Sequence, residues 1–233
     1  MVAVAAYEWA RSCRLGPLAA VAYAAAIALA IAALAWTLPA GGKAAVYAAA
    51  AVFWLIVVPA WLAHRVAARN RWRLAAAGTA VLVPAGVAAA SLDSIQLLAV
   101  LGLVWSADSA AYFAGRAFGR HPLAPAISPA KTWEGVAGAL LAALAYAIIC
   151  AALVLPSGAR VPGVGWLGFL AGAAFLCGVS ILGDLFESAL KRQASVKDSG
   201  TLLPGHGGIL DRIDSATSTL PLAALLLQWT TGT

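Results

Sequence analysis

The sequence predicts an all-α fold, a polytopic transmembrane helical bundle of about seven spans. Three observations predict it. Of the 233 residues, 63% are hydrophobic and only 10% are charged, against about 25% charged in a typical soluble domain. The apolar residues arrive in runs of about twenty, the helix length that crosses roughly 30 Å of hydrocarbon. Backbone polar groups at that depth must be satisfied within the segment, which helices do. This composition excludes an ordinary soluble globule, a disordered chain and a coiled coil.

The spans follow in order. The first, Pro17–Pro39, is longer than the roughly 7–15 apolar residues of a signal-peptide core. Next come Ala44–Leu62 and Leu74–Ala90. A short polar turn, Ser91-Leu92-Asp93, leads into Ser94–Phe113. Gly135–Leu155 and Gly163–Leu182 are the fifth and sixth. The seventh, Ile209–Gln228, is the weakest as a lipid-facing helix, because Asp211, Arg212 and Asp214 occupy its first turns. Nine Trp, 22 Gly and 11 Pro suit interfacial aromatics and closely packed helices. Cys13, Cys150 and Cys177 form no CxxC pair and read as small apolar fillers.

The net charge of +6 is a matter of topology before it is one of nucleic acid, and no nucleic-acid partner is expected. Thirteen of the 15 Lys and Arg precede the first span or fall in the even-numbered loops. Only Lys43 and Arg160 fall on the other side. Basic residues gather in the cytoplasm, so the N-terminus is expected there. The basic loop from His64 to Arg73 reads as a topology anchor or as an attractor of anionic headgroups.

Seven of the nine acidic residues lie between Asp108 and Asp214, at the predicted cytoplasmic ends of spans four to seven. Ionisable groups at membrane depth are expensive and usually functional. Their position predicts a site open to the cytosol. Asp108 begins one cluster, where a helix–helix hydrogen bond is the plainer alternative. Ser128-Pro129-Ala130-Lys131-Thr132-Trp133-Glu134-Gly135 forms a second. Its hydroxyls, Lys and incipient helix suit an anion, and an N-cap with a capping-box Glu134 is the alternative. The third runs from Asp184 to Asp214. There Asp184, Glu187, Ser188 and Lys191 share one helix face by spacing. The glycines around His206 let backbone approach a ligand. His206 itself reads as a base or as a hydrogen-bond donor in a turn. Carboxylates interleaved with Lys and Arg suit a metal and a polyphosphate.

The stretch Ser188-Ala189-Leu190-Lys191-Arg192, then Lys197-Asp198-Ser199-Gly200, then Leu203-Pro204-Gly205-His206-Gly207-Gly208-Ile209-Leu210-Asp211-Arg212-Ile213-Asp214 closely resembles the signature of the phosphatidate cytidylyltransferases, the CDP-diacylglycerol synthases. Asp108…Tyr112-Phe113-Ala114-Gly115-Arg116 and Ser128…Gly135 resemble earlier motifs of that family. Members usually carry further hydrophobic sequence ahead of a Glu-Trp pair, here Glu8-Trp9. A Gly commonly stands in them where this chain has Ser195.

The resemblance implies a homodimeric enzyme of a bacterial inner membrane with a cytoplasmic site. It implies that CTP and phosphatidic acid become CDP-diacylglycerol and pyrophosphate with Mg²⁺ at a two-cation site, the second ion divalent or monovalent. It maps the metal ligands onto Asp184 and Asp211. The reaction is then expected to rest on Asp211, Asp214, Lys191, Arg192, Lys197 and Asp198. Nucleotide and phosphate would be held by Asp108, Ser128, Lys131, Thr132, Glu134, His206, Gly207 and Gly208. Residues 1–107 would supply packing and lipid access, and residues 108–233 the chemistry. A polyprenol or dolichol kinase shares the general resemblance, and its product would be a nucleoside diphosphate. A transporter would instead place polar residues at mid-bilayer.

Overall fold

The computed structural model describes residues 1–64, 70–154, 165–194, 199–200 and 207–231. Among them are helices α1 (Val2–Ser12), α2 (Pro17–Thr37), α3 (Ala40–Ala63), α4 (Arg71–Ser91) and α5 (Ser94–Phe118). A small antiparallel hairpin follows, β1 (Pro122–Ala124) and β2 (Ser128–Thr132). Helices α6 (Trp133–Val154), α7 (Gly165–Ala194) and α8 (Leu210–Thr231) complete the order. The helices α2 to α7 are long and apolar enough to cross a membrane, so the chain is an integral membrane protein.

Local chemistry explains several boundaries. Asp93 caps α5 by accepting from the Gln96 amide at 2.8 Å, and Gln96 returns a bond to the Asp93 amide, a full capping box. Helix α3 contains a π-helical turn at Phe53–Val57, just ahead of Pro59, whose missing N–H breaks the regular ladder. That turn points Phe53 and Trp54 at Phe186 of α7, with ring centroids 5.8 and 5.6 Å away. Trp61 and Trp9 close the same cluster, fixing α7 one residue before Glu187.

The fold departs from the expected spans in three places. Helix α7 runs on past the expected span end at Leu182, through the predicted Asp184–Lys191 face, to Ala194 over 30 residues, about 45 Å at 1.5 Å per residue. Its last turns are built from good helix formers, and the helix is longer than the roughly 30 Å of a hydrocarbon core. The loop after α5 contains the hairpin, a small exception to an all-α fold. Finally, α8 is not among the helices apolar enough to face lipid. Ser215 to Ala224 are buried without interruption, because α8 packs against α1, α3, α4, α5 and α7. Its hydroxyls are satisfied internally: Ser218 Oγ donates to the Val179 carbonyl at 2.9 Å, and Thr219 Oγ1 to the Ser215 carbonyl at 2.7 Å.

Candidate active site

The C-terminal ends of α5 and α7, the N-terminal end of α8 and the hairpin meet at one end of the bundle. On α7 the predicted face forms. Ser188 Oγ lies 3.4 Å from Asp184 Oδ1, and Lys191 Nζ lies 2.6 Å from Glu187 Oε2. Lys191 also reaches Asp211 Oδ1 at 2.8 Å, so one ammonium joins α7 to α8. Glu187 is buried, and its Oε1 has no hydrogen-bond partner among the described residues.

Asp211 gathers the chain around itself. Its Oδ2 accepts from the Gly208 amide at 2.7 Å, the Ser199 amide at 3.0 Å and Ser199 Oγ at 2.9 Å. Gly207 allows this approach at φ +78°, a left-handed conformation costly for residues with a Cβ. The next two amides, Ile209 and Leu210, donate to Glu8 at 3.1 and 2.8 Å.

Lys131, at the end of β2, pairs with Asp184 Oδ2 at 2.6 Å. The pair lines a cavity of about 550 Å³ together with Asp108, Tyr112, Arg116, Ser128 and Thr132. That size falls in the range of small-molecule sites, roughly 300–1,000 Å³. Arg116 donates to Tyr112 Oη at 3.0 Å. Ser215 Oγ lies 3.5 Å from Asp108 Oδ1. Asp108, Asp184 and Asp214 are close enough to interact electrostatically, and Glu187 interacts with both Asp211 and Asp214.

The remaining candidates divide. Glu134 braces the hairpin: Oε1 meets His121 Nδ1 at 2.6 Å, and Oε2 accepts from the Arg120 and His121 amides. The N-cap of α6 falls to Thr132, whose Oγ1 accepts from the Gly135 amide at 3.1 Å. Arg192 Nε donates to the Ile127 carbonyl at 3.3 Å, tying α7 to the hairpin. Lys197, Asp198 and His206 lie outside the described residues, as do Arg65 and Arg69 of the basic loop.

Glu8 was not among the residues expected at this site. The signal available for it was a lone acid in an otherwise apolar N-terminal stretch, next to Trp9. Ser199 and Ser215 were missed for a simpler reason: a hydroxyl reveals its partner only once the fold is known.

Five carboxylates, Asp108, Asp184, Glu187, Asp211 and Asp214, share this end of the bundle with Lys131 and Lys191. Such a surplus of hard oxygen donors suits a multivalent cation. Among the described residues no three side chains of ligand type converge into a ready-made metal cage. Instead Asp184 and Asp211 each hold a lysine.

The chain matches the cytidylyltransferase family over residues 1–230. A phosphatidate cytidylyltransferase of Pseudomonas aeruginosa is 42% identical over 243 residues, covering 100% of this chain and 86% of the relative. One of Haemophilus influenzae is 50% identical over 125 residues, 54% of this chain and 43% of the relative. One of Bacillus subtilis is 47% identical over 125 residues, 54% and 44% of the two chains.

Proposed function

We infer that this chain, which belongs to the cytidylyltransferase family, transfers the cytidylyl group of CTP to phosphatidic acid, giving CDP-diacylglycerol and pyrophosphate. The observation that carries this reading is that one end of the bundle brings together a cavity lined by Asp108, Lys131 and Asp184 and, from the neighbouring turns, Lys191 paired with Asp211 and Asp214 within electrostatic reach of Asp184. In the proposed step, a phosphate oxygen of phosphatidic acid attacks the α-phosphorus of CTP in line. The new P–O bond forms as the bond to the bridging oxygen of the β-phosphate breaks, and pyrophosphate leaves. The nucleophile is already anionic, so positioning and charge neutralisation supply the acceleration. Lys131, Lys191 and Arg192 counter the negative charge, with Lys197 as a further candidate.

The carboxylate surplus fits Mg²⁺, with Asp184 and Asp211 as its ligands and Asp214 beside them. Magnesium bound there, in a two-cation site, would neutralise phosphate oxygens and stabilise the attacking and leaving oxygens. Each of the two aspartates holds an ammonium group, Lys131 on Asp184 and Lys191 on Asp211, and these lysines would counter phosphate charge beside them.

The 13-to-2 division of basic residues supports a cytoplasmic site and N-terminus, in a bacterial inner membrane. One substrate would arrive from water, while the acyl chains of the other stay in lipid. Two copies would pair, and residues 1–107 and 108–233 would divide packing from chemistry. Purified protein given CTP, Mg²⁺ and phosphatidic acid is expected to release pyrophosphate only when all three are present. Release of a nucleoside diphosphate instead would identify a lipid kinase.

A further inference from the structure

Helix α8 begins without a capping residue of its own. The positions ahead of Leu210 are Gly207, Gly208 and Ile209, none of which has a side chain able to accept a hydrogen bond. Asp211, the acid nearest the helix start, is turned back toward Ser199, Gly208 and Lys191. The first amides of a helix need acceptors when buried. Here Ile209 and Leu210 find theirs in Glu8, about 200 residues away in sequence.

Glu8 is 3% exposed. Burying a carboxylate is costly unless hydrogen bonds and opposing charge compensate it. Among the described residues the compensation is two amides and the positive end of a 22-residue helix. Its carboxylate also presses on the loop that serves Asp211. A Cβ at Gly200 would collide with Glu8 Oε1, and one at Gly208 with Ser199 Oγ and Glu8 Oε2. Its neighbour Trp9 is fixed from the other side, donating to the Leu74 carbonyl at 2.9 Å and packing on Phe186. Glu8 therefore touches both segments, 199–200 and 208–210, that flank the donors to Asp211.

We propose that Glu8 is a positioning residue for cytidylyl transfer: it holds the first turn of α8 and the 199–200 segment so that the Asp211 carboxylate is fixed in place. This rests on the function proposed above, and it assigns a role in the chemistry to the segment otherwise given to packing. Gln keeps one acceptor, Leu keeps only bulk, and Ala keeps neither. The expected order of kcat is wild type, then Glu8→Gln at about one-tenth, then Glu8→Leu and Glu8→Ala below one-hundredth. The KM values for CTP and phosphatidic acid should stay within twofold, since Glu8 touches neither substrate.

A role in packing alone gives Leu at least the activity of Gln, and that order overturns the proposal. Hydrogen–deuterium exchange provides a readout independent of turnover. Amides 208–210 should exchange at least tenfold faster in Glu8→Ala and by an intermediate factor in Glu8→Gln, while mid-helix amides of α8 are unchanged. Unchanged exchange at 208–210 overturns the proposal even if activity falls. Wild-type protein without cytidylyltransferase activity overturns the functional reading alone, and the exchange data then decide whether Glu8 holds the turn. If Glu8→Ala does not fold, Glu8→Gln carries both measurements.

Discussion

Asp211→Asn is expected to lower kcat/KM at least about 100-fold while the protein still inserts and folds. The Asp211 carboxylate is surrounded by donors: Lys191 Nζ on one oxygen, and the Gly208 amide, Ser199 amide and Ser199 hydroxyl on the other. Asn has one oxygen and one NH₂ group. Whichever way it turns, a donor faces a donor. Hydrogen bonds to charged groups contribute about 1.5–3 kcal/mol each, and about 1.4 kcal/mol is a factor of ten in rate. An Asn that loses the charge and one or two of these bonds no longer holds the position that the reaction requires, and the expected rate loss follows to the extent that this position is needed in the transition state. The hydrophobic part of α8, from Ser215 onward, is untouched. Pyrophosphate release measures the loss, and circular dichroism with size-exclusion chromatography establishes the fold. A variant within threefold of wild type would show that Asp211 organises the turn and has no part in the reaction.

Lys131→Met should produce the second largest effect, about 10–100-fold in kcat/KM for CTP. Lys131 is the cation that the hairpin delivers to Asp184, at 2.6 Å, with side chains 21% and 33% exposed. Breaking a fully buried pair costs about 3–5 kcal/mol. Partial solvent access reduces that to about 1–3 kcal/mol here, where water screens the remaining charge. Met keeps the length of the stem without the charge, so the change tests electrostatics and not packing. Lys131→Arg, still charged but forked and larger, should retain more activity than Met. Steady-state kinetics across CTP concentrations decides the matter. Equal kcat/KM in wild type and Lys131→Met would remove the cavity wall from the site.

The apolar spans were legible because hydropathy is a property of the sequence alone. Each of the six helices long enough to cross a membrane contains an 18-residue stretch that is strongly apolar, with at most two charged residues. Helix α8 was harder to read. Ser215, Thr217, Ser218 and Thr219 look unsuited to a membrane until the surrounding helices are in place, and only then do they become buried and satisfied. The face of Asp184, Glu187 and Lys191 followed from helical spacing, a local rule. The pairings that make it a site, Lys131 with Asp184 and Lys191 with Asp211, are tertiary and leave no trace in spacing. Glu134 illustrates the difference. It reads from the sequence as a capping acid, yet it sits one residue short of the N3 position, bonds His121, and leaves the cap to Thr132. Glu8 was the least legible, since nothing near it in sequence hints at amides near residue 210.

The central claim is that these converging carboxylates and lysines direct attack at the α-phosphorus of CTP. CTP labelled with ³²P at either the α or the γ position, given to purified protein with Mg²⁺ and phosphatidic acid, tests it most directly. The α label is expected to enter the chloroform-soluble lipid and the γ label to leave as pyrophosphate. Lipid carrying the γ label, with the α label remaining in a nucleoside diphosphate, would contradict it.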